Sequence, residues 1–229
     1  MRKTSLVIFM LTLFSITAIS AETPEQRLLR LQRQREQNIN LYTYTARSTK
    51  AREEKLDVLN QILAEFSQLE YTQNDRGLVD LGIYLSGEGT LRAEYSNNRL
   101  TNDFYEVRAK ACELLGRIGG EPARDALVNI LMTDTNPEVL IQAIRSLETI
   151  GDNTRGDALR TLVYLYRSSY RPDPRMVYAI INAVKTVAKN NVSGYADAVY
   201  VLTEIRMSGY NNQIRQAAYD ALQELKNIE

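Results

Sequence analysis

Four segments of the chain carry one helical stripe: Val107, Ala111, Leu115; Val139, Ala143, Leu147; Met176, Ile180, Val184; and Ile214, Ala218, Leu222. Each steps i, i+4, i+8, and an apolar residue three positions on (Ile118, Ile150, Val187, Leu225) adds a further turn. The stripe starts lie 32, 37 and 38 residues apart. That period suits a helix–turn–helix unit with small loop insertions, which buries its apolar face by stacking on the next copy.

A second helical segment precedes each of the last three stripes. It is marked by Asp125-Ala126-Leu127, Asp157-Ala158-Leu159 and Asp197-Ala198-Val199 at equivalent places. Helix starts are written independently of the stripe. Asn136-Pro137 and Asp173-Pro174 place an N-cap side chain before a proline at the first helical position, where its missing N–H costs nothing, and Asp103-Phe104-Tyr105-Glu106 has capping-box spacing. Gly119-Gly120 and Gly151-Asp152 stop two of the helices. Upstream, residues 51–68 read as an amphipathic helix through Leu56, Leu59, Ile62, Leu63 and Phe66, and 75–85 as another through Leu78, Val79, Leu81 and Ile83. Residues 86–102, with Gly87, Gly89, Asn97, Asn98 and Asn102, have loop composition and fall where the first repeat's turn belongs. The expectation is an all-α protein: an α-solenoid of about four helical hairpins over 51–229, with extra N-terminal helices and an insertion loop near 86–102.

These residues resemble the HEAT-repeat family, in particular its short bacterial variant. Asp134-Thr135-Asn136-Pro137-Glu138-Val139 matches the family's turn into the second helix, and Val107-Arg108 and Ile214-Arg215 match its Val-Arg step, followed by Ala111, Leu115 and Gly116 in one and Ala218 and Leu222 in the other. The arginine is replaced by Leu140 and Val177 in the two middle repeats, so the Asp/Arg ladder usual between such repeats is expected to be incomplete. The resemblance runs over residues 76–226. It implies a solenoid whose second helices line a concave ligand face, and it names no activity.

The segment 1–21 has the make-up of a cleaved secretory signal: Arg2 and Lys3, an apolar stretch from Leu6 to Ile19, then small residues that favour cleavage after Ser20 or Ala21. This points to a bacterial periplasm, with the extracellular space as the alternative. Residues 22–50 form a basic arm: between Gln26 and Arg52 seven Lys and Arg face Glu36 alone, whereas residues 53–229 carry 19 Lys and Arg against 25 Asp and Glu. Within the arm, Thr23-Pro24-Glu25-Gln26 has the N-cap, proline and capping-box Gln of a helix start, leading into Leu28, Leu29 and Leu31. Such a helix suits docking on the acidic solenoid or on a partner, or contact with anionic lipid.

The composition removes much chemistry. With no His there is no imidazole base, His-assisted nucleophile or imidazole metal site, and with Cys112 alone there is no intrachain disulfide or multi-thiolate centre. Cys112 sits in an apolar helix segment and reads as a small buried hydrophobe. Phosphate-loop and Ser-x-x-Lys patterns are absent, and Gly87-Glu88-Gly89 leads to Arg92 where a dinucleotide fingerprint needs a small residue. No catalytic, metal or cofactor residue is therefore assigned.

Contact surface is a different matter. Eight of the 14 tyrosines fall between 164 and 219, and Tyr supplies rigid amphipathic contact area. On a wheel through the second helices, one flank stays polar; Lys110, Arg117, Gln142, Arg145, Asn182, Lys185 and Tyr219 on it are the expected partner-binding strip. Mixed signs along the strip point to a polypeptide partner rather than nucleic acid. The reading is a non-enzymatic scaffold or adaptor of the cell envelope. A lyase-type or chromophore-binding protein of the HEAT-like kind, and a peripheral membrane protein held by the basic arm, are the alternatives.

Overall fold

The structure, a computed structural model, describes residues 23–168, 172–190 and 194–226; the apolar leader at 1–21 lies outside the described residues. Ten helices follow in order among them: α1 (Pro24–Ser48), α2 (Arg52–Glu65), α3 (Arg76–Ser86), α4 (Tyr105–Ile118), α5 (Gly120–Thr133), α6 (Pro137–Ile150), α7 (Asp157–Ser168), α8 (Pro174–Lys189), α9 (Tyr195–Met207) and α10 (Asn212–Lys226). From α3 onward they pair as antiparallel hairpins, α3 with α4, α5 with α6, α7 with α8 and α9 with α10. The second helices α4, α6, α8 and α10 pack successively against one another, and the first helices α5, α7 and α9 do the same on the other side. This is a stacked-hairpin solenoid, as the repeat period requires.

Every stripe residue from Val107 to Leu225 is buried except Ile150, which is partly covered. Leu140, Ile144, Val177 and Ile181, on the apolar flank of α6 and α8, are buried too, because these helices meet their neighbours through that flank. The core falls into two clusters. One gathers α1–α3 with Val107, Ala111, Leu114 and Ile118 of α4; the other runs from Cys112 and Leu115 to Leu225, so α4 is the wall they share. Where α4 crosses α6 the backbones are close: a Cβ on Gly116 would stand 2.7 Å from the Ser146 Cβ and 2.9 Å from its Cα. Ser146 Oγ donates to the Cys112 carbonyl at 2.7 Å across the same crossing. Burial pushes the Cys112 thiol well above its ordinary range, which leaves it inert.

The caps follow the sequence at most ends. Thr23 and Gln26 form a capping box on α1, Asn136 accepts from the Glu138 and Val139 amides, Asp173 accepts from the Arg175 amide, and Gly151 ends α6 with φ 66°. Asp103 departs from expectation. It caps nothing, since α4 starts at Tyr105 with Phe104 in the cap position; its carboxylate instead accepts from Arg108 at 2.7 Å. Ile83, counted on the apolar side of α3, is exposed, because that helix turns Leu78, Val79, Leu81 and Leu85 inward.

The insertion is more ordered than its loop composition suggests. Strands β1 (Tyr95–Ser96) and β2 (Arg99–Leu100) pair antiparallel, and Asn97 and Asn98 turn between them at φ 51° and 59°, a two-residue hairpin turn that Asn tolerates. At the hairpin's base Glu88 is buried and ion-paired to the buried Lys55 of α2 at 2.8 Å, with Asn102 Nδ2 donating to it at 2.9 Å and Arg92 beside it at 3.1 Å.

The basic segment is also helical. Along α1, Leu31, Ile39, Tyr42 and Ala46 are buried against α2 and α3, whereas Leu28 and Leu29 stand exposed. Arg27 reaches Glu70 at 2.7 Å, Arg35 donates to the Glu70 carbonyl at 2.8 Å, and the Tyr42 hydroxyl donates to Glu65 at 2.8 Å. The segment thus packs on α2 and α3.

Candidate partner-binding surface

A ladder between repeats is present as one buried rung. Arg108 of α4, 3% exposed, donates from Nε to Asp134 at 2.6 Å in the turn that leads into α6. With Leu140 and Val177 at the equivalent places, α6 and α8 cannot make the same bond. A second cation, Arg124 of α5, is buried among Asp125, Asp152 and Asp157 at 2.8, 2.5 and 3.8 Å. Burial alone would raise the Asp125 and Asp152 carboxyls, but their hydrogen bonds and charges outweigh it and hold both below the ordinary range. These carboxylates are committed to arginine, and among the described residues no group of three or more acids and thiols is arranged to hold a metal.

Of the seven strip residues, the two at the α4 end are occupied by an acid of their own helix. Lys110 and Arg117 both pair with Glu113, at 3.0 and 3.1 Å. Gln142 lies half-buried on α6, Nε2 3.5 Å from the Ser146 hydroxyl. Asn182 is half-buried on α8, and Lys185 there reaches Glu224 of α10 at 3.1 Å, an acid shared with Lys189. Arg145 of α6 and Tyr219 of α10 are placed differently: the structure brings both into the wall of one open groove of about 1180 Å³.

The groove crosses α6, the first turns of α8, the end of α9 and the first half of α10. Arg145, Arg175, Tyr178, Arg206, Arg215 and Tyr219 give it its character. Tyr178 is half-exposed, and the Arg206 guanidinium lies over the Tyr219 ring at 4.4 Å, a cation–π contact that holds both side chains against α10. Arg175 is neutralised by Glu138 at 2.9 Å and Asp173 at 3.3 Å. Arg145, Arg206 and Arg215 have no carboxylate within 4.0 Å among the described residues. The strip omitted Arg175, Tyr178, Arg206 and Arg215. A wheel through one helix class has no sight of Arg206, which belongs to a first helix, while the clustering of tyrosines after 164 was the signal that pointed to this end of the chain.

Residues 98–171 match the family model for HEAT repeats. This stretch is similar to HEAT repeats. It takes in α4 to α7, the part of the chain with the buried Arg108–Asp134 rung, and the hairpins that complete the groove continue the same stacking beyond it. Comparison with curated proteins gives no match. Among solved structures, similarity extends to a designed armadillo repeat protein (18% identity, TM-score 0.45, covering 66% of this chain and 66% of that one). A second designed armadillo repeat protein, solved in complex with a (KR)4 peptide, gives 16% identity and TM-score 0.47 over 90% of this chain and 95% of that one. An engineered protein gives 22% and 0.44 over 74% of this chain and 40% of its own length.

Proposed function

We propose that the protein is a non-enzymatic scaffold of the cell envelope that binds a polypeptide through the groove spanning α6, α8 and α10. The observation that carries this reading is the convergence of Arg145, Arg206, Tyr178 and Tyr219 in one open concavity. Arg and Tyr are the side chains that dominate truncation costs at protein interfaces, and a wide groove of this size exceeds the roughly 300–1,000 Å³ of most small-molecule clefts. Its guanidiniums stay protonated near neutral pH and cannot act as bases.

The test is capture from the native envelope by crosslinking, comparing wild type with Arg145→Ala and Tyr219→Ala. Each variant is expected to weaken capture by about 1–3 kcal/mol with helix content unchanged. Arg160→Ala, on the exposed side of α7, is the control. Equal loss in the control and none in the groove variants would move the partner to the first-helix face, where Tyr164 and Tyr200 are exposed.

The envelope assignment rests on the leader and has its own measurement. Intact mass of exported protein is expected to place the N-terminus at Ala21 or Glu22, and retention of Arg2 and Lys3 would overturn export by cleavage. Among the described residues no helix is long and apolar enough to cross a membrane.

A further inference from the structure

We propose that the occupant of the groove is an acidic polypeptide segment, whose carboxylates pair with Arg145, Arg206 and Arg215 while its backbone and apolar atoms lie on Tyr178 and Tyr219. This rests on the scaffold reading and specifies its partner. The first ground is charge. Four guanidiniums and a single carboxylate, Asp220, line the groove; Arg175 is already matched by Glu138 and Asp173, Asp220 accepts from Gln216 at 2.8 Å, and Arg145, Arg206 and Arg215 are left without an acid among the described residues. The cations elsewhere on this surface are mostly matched: Lys110 and Arg117 by Glu113, and Lys185 and Lys189 by Glu224. Beside Arg145, Glu148 one turn on is partly buried, and that burial raises its carboxyl above the ordinary range against the pull of Lys185 and Arg145. It does not line the groove.

The second ground is the repeat. Arg215 occupies in α10 the place that Arg108 occupies in α4, one residue after the first stripe residue. Arg108 is buried and holds Asp134 at 2.6 Å; Arg215 is exposed, bonded to Asn212, and faces the groove with no acid beside it. The fold thus shows what this position does with a carboxylate, and an acidic segment laid in the groove would supply one to Arg215. Arg206 is already ordered by the Tyr219 ring, so a planar, bidentate pair with an incoming acid costs little additional side-chain freedom. Clustered cations also raise the local potential, which selects acidic segments during encounter even where single exposed pairs contribute little.

The experiment is a fluorescence-anisotropy titration of the purified full chain with a labelled octapeptide of alternating Asp and Glu. Octapeptides of Gly and Ser and of Lys and Arg, and a single-stranded DNA of equal negative charge, are run in parallel. The acidic peptide is expected to bind tightest, to weaken steeply as salt rises from roughly 50 to 500 mM, and to lose about tenfold or more in affinity in Arg206→Gln/Arg215→Gln. Equal or tighter binding of the neutral, basic or nucleic-acid probe, or an acidic peptide indifferent to the double variant, overturns the proposal. If that happens while envelope capture still depends on Arg145 and Tyr219, the scaffold reading survives and only the acidic partner is lost; if capture ignores those residues, the groove itself is wrong. Circular dichroism of the double variant, expected to match wild type because both arginines are exposed, separates lost binding from lost folding.

Discussion

Asp134→Ala is expected to destabilise the protein by about 3–5 kcal/mol, the range for removing one partner of a buried ion pair. Two bonds disappear together. Asp134 accepts from Arg108 at 2.6 Å and, through its other oxygen, from the Asn136 amide at 2.8 Å, which shapes the turn into α6. Arg108 keeps Asp103 and the Glu88 carbonyl, so the lower end of the range is the better expectation. Chemical denaturation measures it, with Glu70→Ala as the comparison: that acid is half-exposed in its pair with Arg27, and its loss should stay within about 1 kcal/mol. Equal effects in the two variants would show that burial of the Arg108 rung confers nothing.

Ala143→Glu should be at least as damaging. Ala143 is fully buried in α6 within the larger core cluster, and a carboxylate there finds neither room nor partner, a cost on the order of 3 kcal/mol or more. For a chain of this length that is a fall in melting temperature of roughly 6–12 °C. Differential scanning calorimetry reads it directly, and an unchanged transition would remove Ala143 from the helix crossing.

Much of the fold could be read in advance because the stripe, the Asn-Pro and Asp-Pro starts and the Gly stops are local signals that the tertiary structure reinforces. Asp103 misled because its spacing to Glu106 suits a capping box, yet Arg108 five residues on offers the carboxylate a buried charge, and a charge-assisted bond outweighs a cap. The insertion misled differently: Gly and Asn marked the turns, but its anchorage depends on Lys55 and Glu88, 33 residues apart in sequence and 2.8 Å apart in space. For the candidate site, the helical wheel found Arg145 and Tyr219 and missed Arg206, because a groove at the end of a stack draws on both helix classes. Lys110 and Arg117 lay on the same flank, but their acid is one turn away on their own helix, which no inspection of single positions reveals.

The sharing of α4 between two core clusters sets how disturbance spreads. A stacked array passes strain only to adjacent units, and here the α1–α3 block meets the α5–α10 block chiefly through one fourteen-residue helix, α4, stitched by Arg108–Asp134 and by the Ser146 hydroxyl on the Cys112 carbonyl, with α3 lying against α5 beside it. Loosening at the α1 end is therefore expected to dissipate before it reaches Tyr219, so that α1 can fray while the far end keeps its shape. Amide-exchange protection is then expected to drop in separate steps on either side of α4.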